Sequence, residues 1–265
     1  LPKKQKVFKK IIIYGNKKVL SQINKNSQIE IKTPWLLVPP KNNSSTINLK
    51  VILRFIWHKI YLPLIILTKK PNLIFYPSAV AHSKLGKFVC LVQNSLPFMY
   101  EEYYPKISIK SFKFSLLKKE MLFSIRKSAG TIFLNDYSNQ LIKNNFKKTF
   151  KFKSKIIPHG CDKKYKSSNW KPIDINYKKK FISLTYVSSI DTYKHQRELL
   201  EGLYLFSEKY KIDFKLNLIG PILYEKYFID LKKDIYRKNL TNKIVIHKEL
   251  TPHEIISIYK KSHCA

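Results

Sequence analysis

Short apolar runs of strand length alternate with longer stretches of helical spacing in the first half of this chain. Five runs have the length of buried strands, and they are predicted at residues 11–14, 35–38, 73–76, 88–92 and 131–134. Between them, residues 49–67 and 111–127 place apolar side chains at helical intervals. Strands that alternate with helices in this way predict stacked β-α units and therefore an α/β fold.

A second series of the same kind follows a polar, lysine-rich connector. Its strands are predicted at residues 181–188, 214–219 and 243–247, and its helices at 195–210, 224–237 and 252–262. Thr251 is the predicted N-cap of the last helix. The predicted organisation is a first lobe at 1–162, a connector at 163–180 and a second lobe at 181–265. Because another strand would start at Cys264, and because Leu1 is not a methionine, we expect a fragment of a longer protein.

Composition excludes several classes of protein. Hydrophobic residues form 44% of the 265-residue chain and aromatic residues 14%, which is enough for a core and excludes wholesale disorder. The three cysteines, Cys90, Cys161 and Cys264, are far apart and form no CxxC pair. This spacing argues against a disulfide scaffold or a structural zinc site, and it favours a reducing, cytoplasmic setting.

The formal net charge of +34 leaves two interpretations open. One is a lysine-rich composition spread over an ordinary surface, and the other is attraction to an anionic membrane or an acidic substrate. We expect no nucleic-acid partner, because arginine occurs only at residues 54, 126, 197 and 237 and no zinc spacing or aromatic-rich RNA motif is present. A basic nucleic-acid-binding protein stays an alternative that rests on charge alone.

Two helical stretches bear on membrane contact. Residues 60–68 form an apolar run between Lys59 and Lys69 that contains Pro63, and a spanning helix needs about 20 apolar residues. We expect this run to be either a buried helix end or an interfacial one. The helix at 111–127 has interspersed lysines, and its apolar side is either a core face or a membrane-surface face. The apolar residues predicted to lie roughly on that side are Phe112, Leu116, Met121, Leu122 and Ile125.

Candidate chemistry lies at the carboxyl ends of the predicted strands. Ligands of open α/β sheets bind there, because helix N-termini offer free N–H groups to phosphate. Ser188, Ser189 and Lys194 stand in the loop between the first strand and the first helix of the second series. Their hydroxyls and positive charge could face a diphosphate, and an ordinary exposed lysine is the alternative.

Three further polar or glycine positions follow strands. Gly160 stands in a Pro-His-Gly turn, where it is predicted either to supply a positive φ or to let a backbone approach a ligand. Asn94 and Asn135 follow two buried strands of the first series. They could hold the hydroxyls of an acceptor, and helix capping is the other role that Asn135 could have.

Six segments, taken in order, make the chain resemble the group-1 glycosyltransferases, which are also called family 4. They are QNSLPF at 93–98, IFLNDYS at 132–138, IIPHGCD at 156–162, YVSSIDTYKHQ at 186–196, LNLIGP at 216–221 and PHEIISIYKKSHC at 252–264. The resemblance implies a GT-B architecture of two facing Rossmann-like lobes, the first for the acceptor and the second for a nucleotide-sugar donor. It also implies retention of anomeric configuration, with no metal or other cofactor.

The same resemblance assigns roles to residues of the donor lobe. Lys194 matches the lysine that holds the donor diphosphate, and Ser189 occupies a slot where many relatives have an arginine for the same phosphates. Gly160 matches the interlobe glycine, and Gly220 matches the glycine that closes the second strand of the donor lobe. Lys248 stands where a glycine is more usual, which implies an atypical base-contacting loop.

Two other departures concern the acceptor and the donor sugar. Asn94 lies near the position where other branches have an acceptor-side histidine, and the later stretch with two glutamates that grip the donor is missing. The expected function is a retaining hexosyltransferase of cell-surface polysaccharide synthesis, with a glycan or lipid-linked acceptor and peripheral contact with the inner face of the membrane. No catalytic side chain is assigned, and we expect the 265-residue chain to be inactive by itself. A non-catalytic sugar- or nucleotide-binding module of the same fold is the alternative.

Overall fold

The computed structural model describes residues 9–15, 20, 28–34, 47–146, 150–160 and 181–264. The chain divides into two compact units, one formed by Leu1–Phe98 and Lys113–Pro158 and the other by Met99–Phe112 and His159–Ala265. Each unit contains parallel strands with helices between them. The α/β class predicted from the alternation is therefore confirmed, whereas no sequence pattern indicated that Met99–Phe112 packs with the second unit.

The described strands of the first unit form two parallel sheets. One sheet pairs β1 with β2, and the other contains β3 to β6 in chain order. The six strands are β1 (Ile11–Tyr14), β2 (Ile29–Lys32), β3 (Ile74–Tyr76), β4 (Phe88–Val92), β5 (Gly130–Phe133) and β6 (Ser154–Ile156). The predictions for β1, β3, β4 and β5 are confirmed to within one residue. β2 and β6 were not predicted, and the strand predicted at 35–38 lies outside the described residues.

One helical segment precedes β3. It consists of α1 (Ile47–Ile56), a π-helical turn (Trp57–Tyr61) and α2 (Leu62–Lys69), which follow one another directly. The π turn lies just before Pro63, whose missing N–H interrupts the regular hydrogen bonds of an α-helix. The helix predicted at 49–67 is therefore confirmed. None of the helices in the described part of the chain has both the length and the apolar character that crossing a bilayer requires.

The next helix, α3 (Ile109–Lys127), corrects the prediction for its apolar face. Met121 and Ile125 are buried in the core of the first unit, whereas Phe112 and Leu116 are 68% and 49% exposed. The two pairs are nine residues apart in sequence, and at about 100° per residue they lie on opposite sides of a helix. The core face of α3 therefore excludes Phe112 and Leu116, which share the exposed side with lysines.

The core of the first unit lies between its larger sheet and the helices α3 and α4 (Asp136–Lys143). Along β4 every second side chain is buried, beginning with Phe88. Cys90 is one of these residues, and burial raises the pKa of its thiol to about 12. Cys90 therefore acts as a small apolar side chain of the core.

The second unit has a three-stranded parallel sheet in chain order. All three strands and all three helices predicted here are confirmed, with ends that differ by at most three residues. They are β7 (Phe181–Val187), α5 (Gln196–Tyr210), β8 (Asp213–Ile219), α6 (Glu225–Arg237), β9 (Ile244–His247) and α7 (Pro252–Tyr259). The core forms where α5 and α6 cover the sheet, and Leu200, Leu216 and Leu231 are almost completely buried in it.

The chain after β9 is also fixed by hydrogen bonds. Thr251 is the N-cap of α7, as predicted, and forms a capping box with Glu254. Beyond α7, Cys264 makes a parallel bridge with Leu184, and the N–H of Thr185 donates to the Cys264 carbonyl at 2.9 Å. Strand pairing therefore starts at Cys264, as the sequence predicts, on the edge of β7 that β8 leaves open.

Candidate functional site

The loop after β7 runs beside the segment that follows β8. The N–H of Ser188 donates to the Ile219 carbonyl at 2.9 Å, and the N–H of Ile190 donates to the Pro221 carbonyl at the same distance. Gly220 lies between these two bonds with a φ of 150°. A Cβ atom at residue 220 would stand 2.2 Å from the carbonyl oxygen of Ser188. Only glycine therefore fits at the end of β8, because the Ser188–Ser189 backbone lies directly over it.

The first residue of α5 ties this loop to the helix. Gln196 is 1% exposed, and its Nε2 donates to Ser188 Oγ at 3.1 Å and to the Ser189 carbonyl at 2.8 Å. Its Oε1 is buried and accepts no hydrogen bond from the described residues. The loop hydroxyl of Ser188 is thus held at the N-terminus of α5, which is the positive end of the helix dipole and where the N–H of Arg197 donates to the Tyr227 hydroxyl at 3.0 Å. The sequence analysis did not single out Gln196, although the polar residue at the helix start was a signal.

A buried carboxylate fixes the turn between the loop and α5. Asp191 is 4% exposed, and its Oδ1 accepts the N–H of Thr192 at 2.8 Å. The same carboxylate accepts the hydroxyl of Tyr104 at 2.7 Å and the ammonium of Lys110 at 3.2 Å. Burial, with a smaller contribution from Asp191, raises the pKa of Tyr104 well above its usual range. The segment Met99–Phe112 is therefore anchored on the turn that carries the donor-site candidates.

Lys194 ends this turn. Its N–H donates to the Asp191 carbonyl at 3.0 Å, and its own carbonyl accepts the hydroxyl of Tyr186 at 2.8 Å. The next residue, His195, has a φ of 56°, which turns the chain into α5. The Lys194 ammonium stands 4.9 Å from the ring centre of Tyr193, and it makes no ion pair with the carboxylates in the described residues. The backbone of Lys194 is thus fixed while its charge stays available to an anion.

A cavity of about 750 Å³ opens beyond the carboxyl ends of β8 and β9. It starts at Pro221, next to the glycine that contacts the Ser188 loop, and it includes Lys248, the residue singled out as atypical. Cavities of this size hold small-molecule ligands. The residues that line it are Pro221, Ile222, His247, Lys248, Glu249 and Leu250.

One of the two roles predicted for Gly160 was to supply a positive φ, and the structure does not confirm it. Its φ lies outside the left-handed range, so the prediction of a positive φ is wrong. A Cβ atom placed on Gly160 would meet nothing within 4 Å. The requirement for glycine at this position therefore has no steric origin in the described residues, and its role at a ligand stays a prediction.

The two asparagines of the first unit act as local caps. Asn135 Oδ1 accepts the N–H of Ser138 at 2.8 Å and begins α4, which confirms its predicted capping role. Asn94 Oδ1 accepts the N–H of Leu96 at 2.9 Å. The loop after β4 meets the first turn of α4 where Ser95 Oγ donates to Ser138 Oγ at 2.9 Å. This edge also contains a buried amide oxygen, Oδ1 of Asn139, that has no described partner.

Comparison with solved structures places this geometry in a known fold. HepE of Anabaena, in complex with UDP and glucose, superposes with a TM-score of 0.58 over 94% of this chain, at 14% identity. A glycosyltransferase from Rickettsia africae gives a TM-score of 0.54 over 95% of this chain at 18% identity. Sucrose-phosphate synthase of Thermosynechococcus elongatus gives 0.60 over 89% at 11% identity.

The chain has a GT-B fold. It covers 61%, 62% and 59% of those three chains, respectively, and so spans about three-fifths of the length of the structures it matches. No family profile and no curated protein sequence matches the chain. The predicted fold is therefore confirmed by structural similarity, while membership of family 4 stays a prediction.

Proposed function

We propose that this chain provides the nucleotide-sugar site of a glycosyltransferase, with the diphosphate held between the Ser188–Ser189 loop and the N-terminus of α5. The observation that carries this proposal is the close approach of Gly220 to Ser188, at the start of the loop that ends at Lys194. The adjoining cavity of about 750 Å³ offers room for the nucleoside. The complexes of HepE with UDP and with UDP-glucose support this choice of ligand class.

The proposed chemistry is the departure of a nucleoside diphosphate. As the glycosidic bond to the donor breaks, negative charge grows on the leaving phosphate, and the Lys194 ammonium stabilises it. The positive end of the α5 dipole and the hydroxyls of Ser188 and Ser189 favour the same charge. The acceptor hydroxyl forms the new bond to the anomeric carbon on the face that the diphosphate leaves, and its proton passes to the departing phosphate oxygen. The hexosyl group thereby keeps its anomeric configuration, and we propose no covalent nucleophile, metal or other cofactor.

The proposed acceptor is a glycan or a lipid-linked sugar of cell-surface polysaccharide synthesis. The polar edge formed by the loop after β4 and the start of α4 supplies groups that suit hydroxyls, among them Asn94, Asn135 and Asn139. We propose that the enzyme works in the cytoplasm at the inner face of the membrane. The exposed side of α3 supports this, because Leu116 and Phe123 stand there among lysines.

Binding and turnover test the proposal separately. Calorimetric titration with UDP and with UDP-glucose should show saturable binding to the 265-residue chain, and UMP should bind more weakly because it lacks the β-phosphate. Sugar transfer or donor hydrolysis is then assayed in this chain and in any longer chain that contains it. Binding without turnover in every such chain would favour the non-catalytic module, and absence of binding would contradict both functions.

A further inference from the structure

An apolar stripe lies on the outside of the helical segment that precedes β3. Five of its side chains are more than half exposed to solvent, and together they span α1, the π turn and α2. They are Ile52 (54%), Phe55 (61%), Ile60 (51%), Leu64 (53%) and Leu67 (56%). Single exposed apolar residues are ordinary on a protein surface, but a contiguous row marks an interaction site.

The π turn keeps this stripe continuous. Residues in an α-helix meet their neighbours at three- and four-residue intervals, which links Ile52 to Phe55 and Ile60 to Leu64 and Leu67. Phe55 and Ile60 are five residues apart and would diverge in a regular α-helix. The wider π turn, Trp57–Tyr61, brings residues five apart to the same side. The five side chains therefore share one face of the segment.

The opposite face is anchored in the first unit, so the stripe cannot turn inward. Trp57 is 4% exposed and its ring centre lies 5.8 Å from that of Tyr14. His58 stacks on His82 at 3.7 Å between ring centres. Further along, Ile66 is 6% exposed, and Leu62 packs on the core cluster of β3 and β4. The segment is thus a fixed part of the unit that presents its apolar stripe to the outside.

The charges around the stripe have one sign. No aspartate or glutamate occurs between Glu30 and Glu101 in the sequence. Three exposed lysines lie along or just after the stripe, namely Lys59, Lys69 and Lys70. None of them makes an ion pair with a residue of the described parts of the chain, so their charges are not neutralised.

We propose that this face of 52–70 is a docking surface for an anionic lipid bilayer, with the segment lying in the plane of the interface. An apolar stripe bordered by lysines matches a bilayer surface, in which acyl chains lie beneath anionic headgroups. A second copy of this chain is a poorer occupant, because a two-fold contact would oppose the same cations without any acidic residue to pair with them. The surface is independent of the proposed donor site and of α3.

Vesicle co-sedimentation tests the proposal. The 265-residue chain should bind large vesicles of phosphatidylcholine that contain phosphatidylglycerol, and it should bind vesicles of phosphatidylcholine alone much more weakly. The double variant Phe55→Ser, Leu64→Ser should lower the partition coefficient about tenfold or more. A matched control, Leu205→Ser with Tyr236→Ser, removes two side chains that are also more than half exposed from α5 and α6 of the second unit, and should change binding by less than about twofold.

The contribution of the lysines to vesicle binding is measured separately. Lys59→Gln with Lys69→Gln should weaken binding to the anionic vesicles and reduce its dependence on salt. Circular dichroism checks that both apolar variants stay folded, as expected for exposed positions. Equal partition of the stripe variant and the unchanged chain would overturn the proposal, and so would equal binding to both kinds of vesicle. Self-association in solution that Phe55→Ser, Leu64→Ser abolishes would assign the surface to a second copy instead, which also overturns it.

Discussion

The carbonyl oxygen of Ser188 lies 2.2 Å from the point that a Cβ atom on residue 220 would occupy. This contact joins the loop after β7 to the end of β8, and Gly220 also holds a φ that other residues rarely adopt. Neither strand end can move without the other, because hydrogen bonds flank the contact on both sides. The position of the proposed diphosphate loop thus depends on the absence of one side chain.

Gly220→Ala should therefore displace the Ser188 loop and destabilise the second unit by about 2–4 kcal/mol, through overpacking and backbone strain. Urea unfolding measures this change. Gly202→Ala is the matched control, because Gly202 lies within α5 and a Cβ atom there meets nothing within 4 Å. That variant should be neutral or more stable by about 0.5–1 kcal/mol. Equal effects of the two substitutions would contradict the steric account.

Tyr104→Phe should destabilise the chain by about 1.5–3 kcal/mol, because it removes a hydrogen bond to the buried carboxylate of Asp191. It should also loosen the turn that ends at Lys194. The control is Tyr236→Phe, at a residue that is 80% exposed, and it should change the free energy of unfolding by less than about 0.5 kcal/mol. If both variants unfold at the same urea concentration as the unchanged chain, the anchoring of Met99–Phe112 contributes nothing to stability.

The strands that the sequence predicts well are rich in apolar residues at the positions that the sheet buries. β4 is apolar throughout, and in β8 the apolar side chains alternate with polar ones and are the buried positions. β6 was missed because Ser154 and Lys155 occupy two of its three positions. The apolar face of α3 was predicted wrongly because positions nine residues apart were grouped together. Hydrophobicity alone does not say which side of a helix meets the core.

Only the residues of the candidate site that are close in sequence or follow neighbouring strands could be predicted. Ser188, Ser189 and Lys194 belong to one strand-to-helix loop, and Gly220 follows the next strand, so strand order alone brings them to the same sheet edge. The anchoring by Tyr104 was not predictable, because Tyr104 and Asp191 are 87 residues apart in sequence. The residues around Tyr104 and those around Asp191 show no pattern that indicates a contact between the two. The capping roles of Asn135 and Thr251 were predictable, since each depends on its immediate neighbours.

Stability should fall as the pH falls from about 6.5 towards 4. Burial, followed by the charges of His82, Arg54 and Lys59, lowers the pKa of His58 to about 4. An unfolded histidine has a pKa of about 6.5, so the unfolded state binds more protons over this range and protonation favours unfolding. His58→Phe keeps a ring to stack on His82 and should remove about 1–2 kcal/mol of the pH dependence.

Urea unfolding at several pH values gives the measurement. His253→Phe, at an exposed position of α7, is the control for the loss of one imidazole. The free energy of unfolding is then plotted against pH. If its slope between pH 6.5 and 4 is the same for His58→Phe and for the unchanged chain, His58 is not the source of the pH dependence.

The basic side of α3 should contribute to binding of anionic vesicles. Lys113 and Lys119 are exposed, and they share that side with Phe112 and Leu116. Each lysine near an anionic surface contributes about 1 kcal/mol at most, and salt weakens the contribution. Replacing Lys113, Lys118 and Lys119 by glutamine should lower recovery in liposome flotation with acidic lipid. Unchanged recovery would remove α3 from the membrane contact without affecting the surface at 52–70.

The central claim concerns Lys194, whose backbone is fixed by Asp191 and Tyr186 and whose ammonium makes no ion pair with the carboxylates described. A charge-assisted hydrogen bond to the diphosphate contributes about 1.5–3 kcal/mol, so Lys194→Ala should weaken UDP binding by about 10- to 100-fold. Lys194→Arg should recover part of the loss, because it restores the charge with a different geometry. Lys226→Ala, an exposed lysine of α6, is the control for the loss of one positive charge.

Calorimetric titration of UDP into these three variants and the unchanged chain is the most direct test of the account. The predicted result is tight binding by the unchanged chain and by Lys226→Ala, a large loss for Lys194→Ala and an intermediate affinity for Lys194→Arg. Circular dichroism should show the same fold in all four. If folded Lys194→Ala binds UDP as tightly as the unchanged chain does, the diphosphate does not bind at this loop and the proposed donor site is wrong.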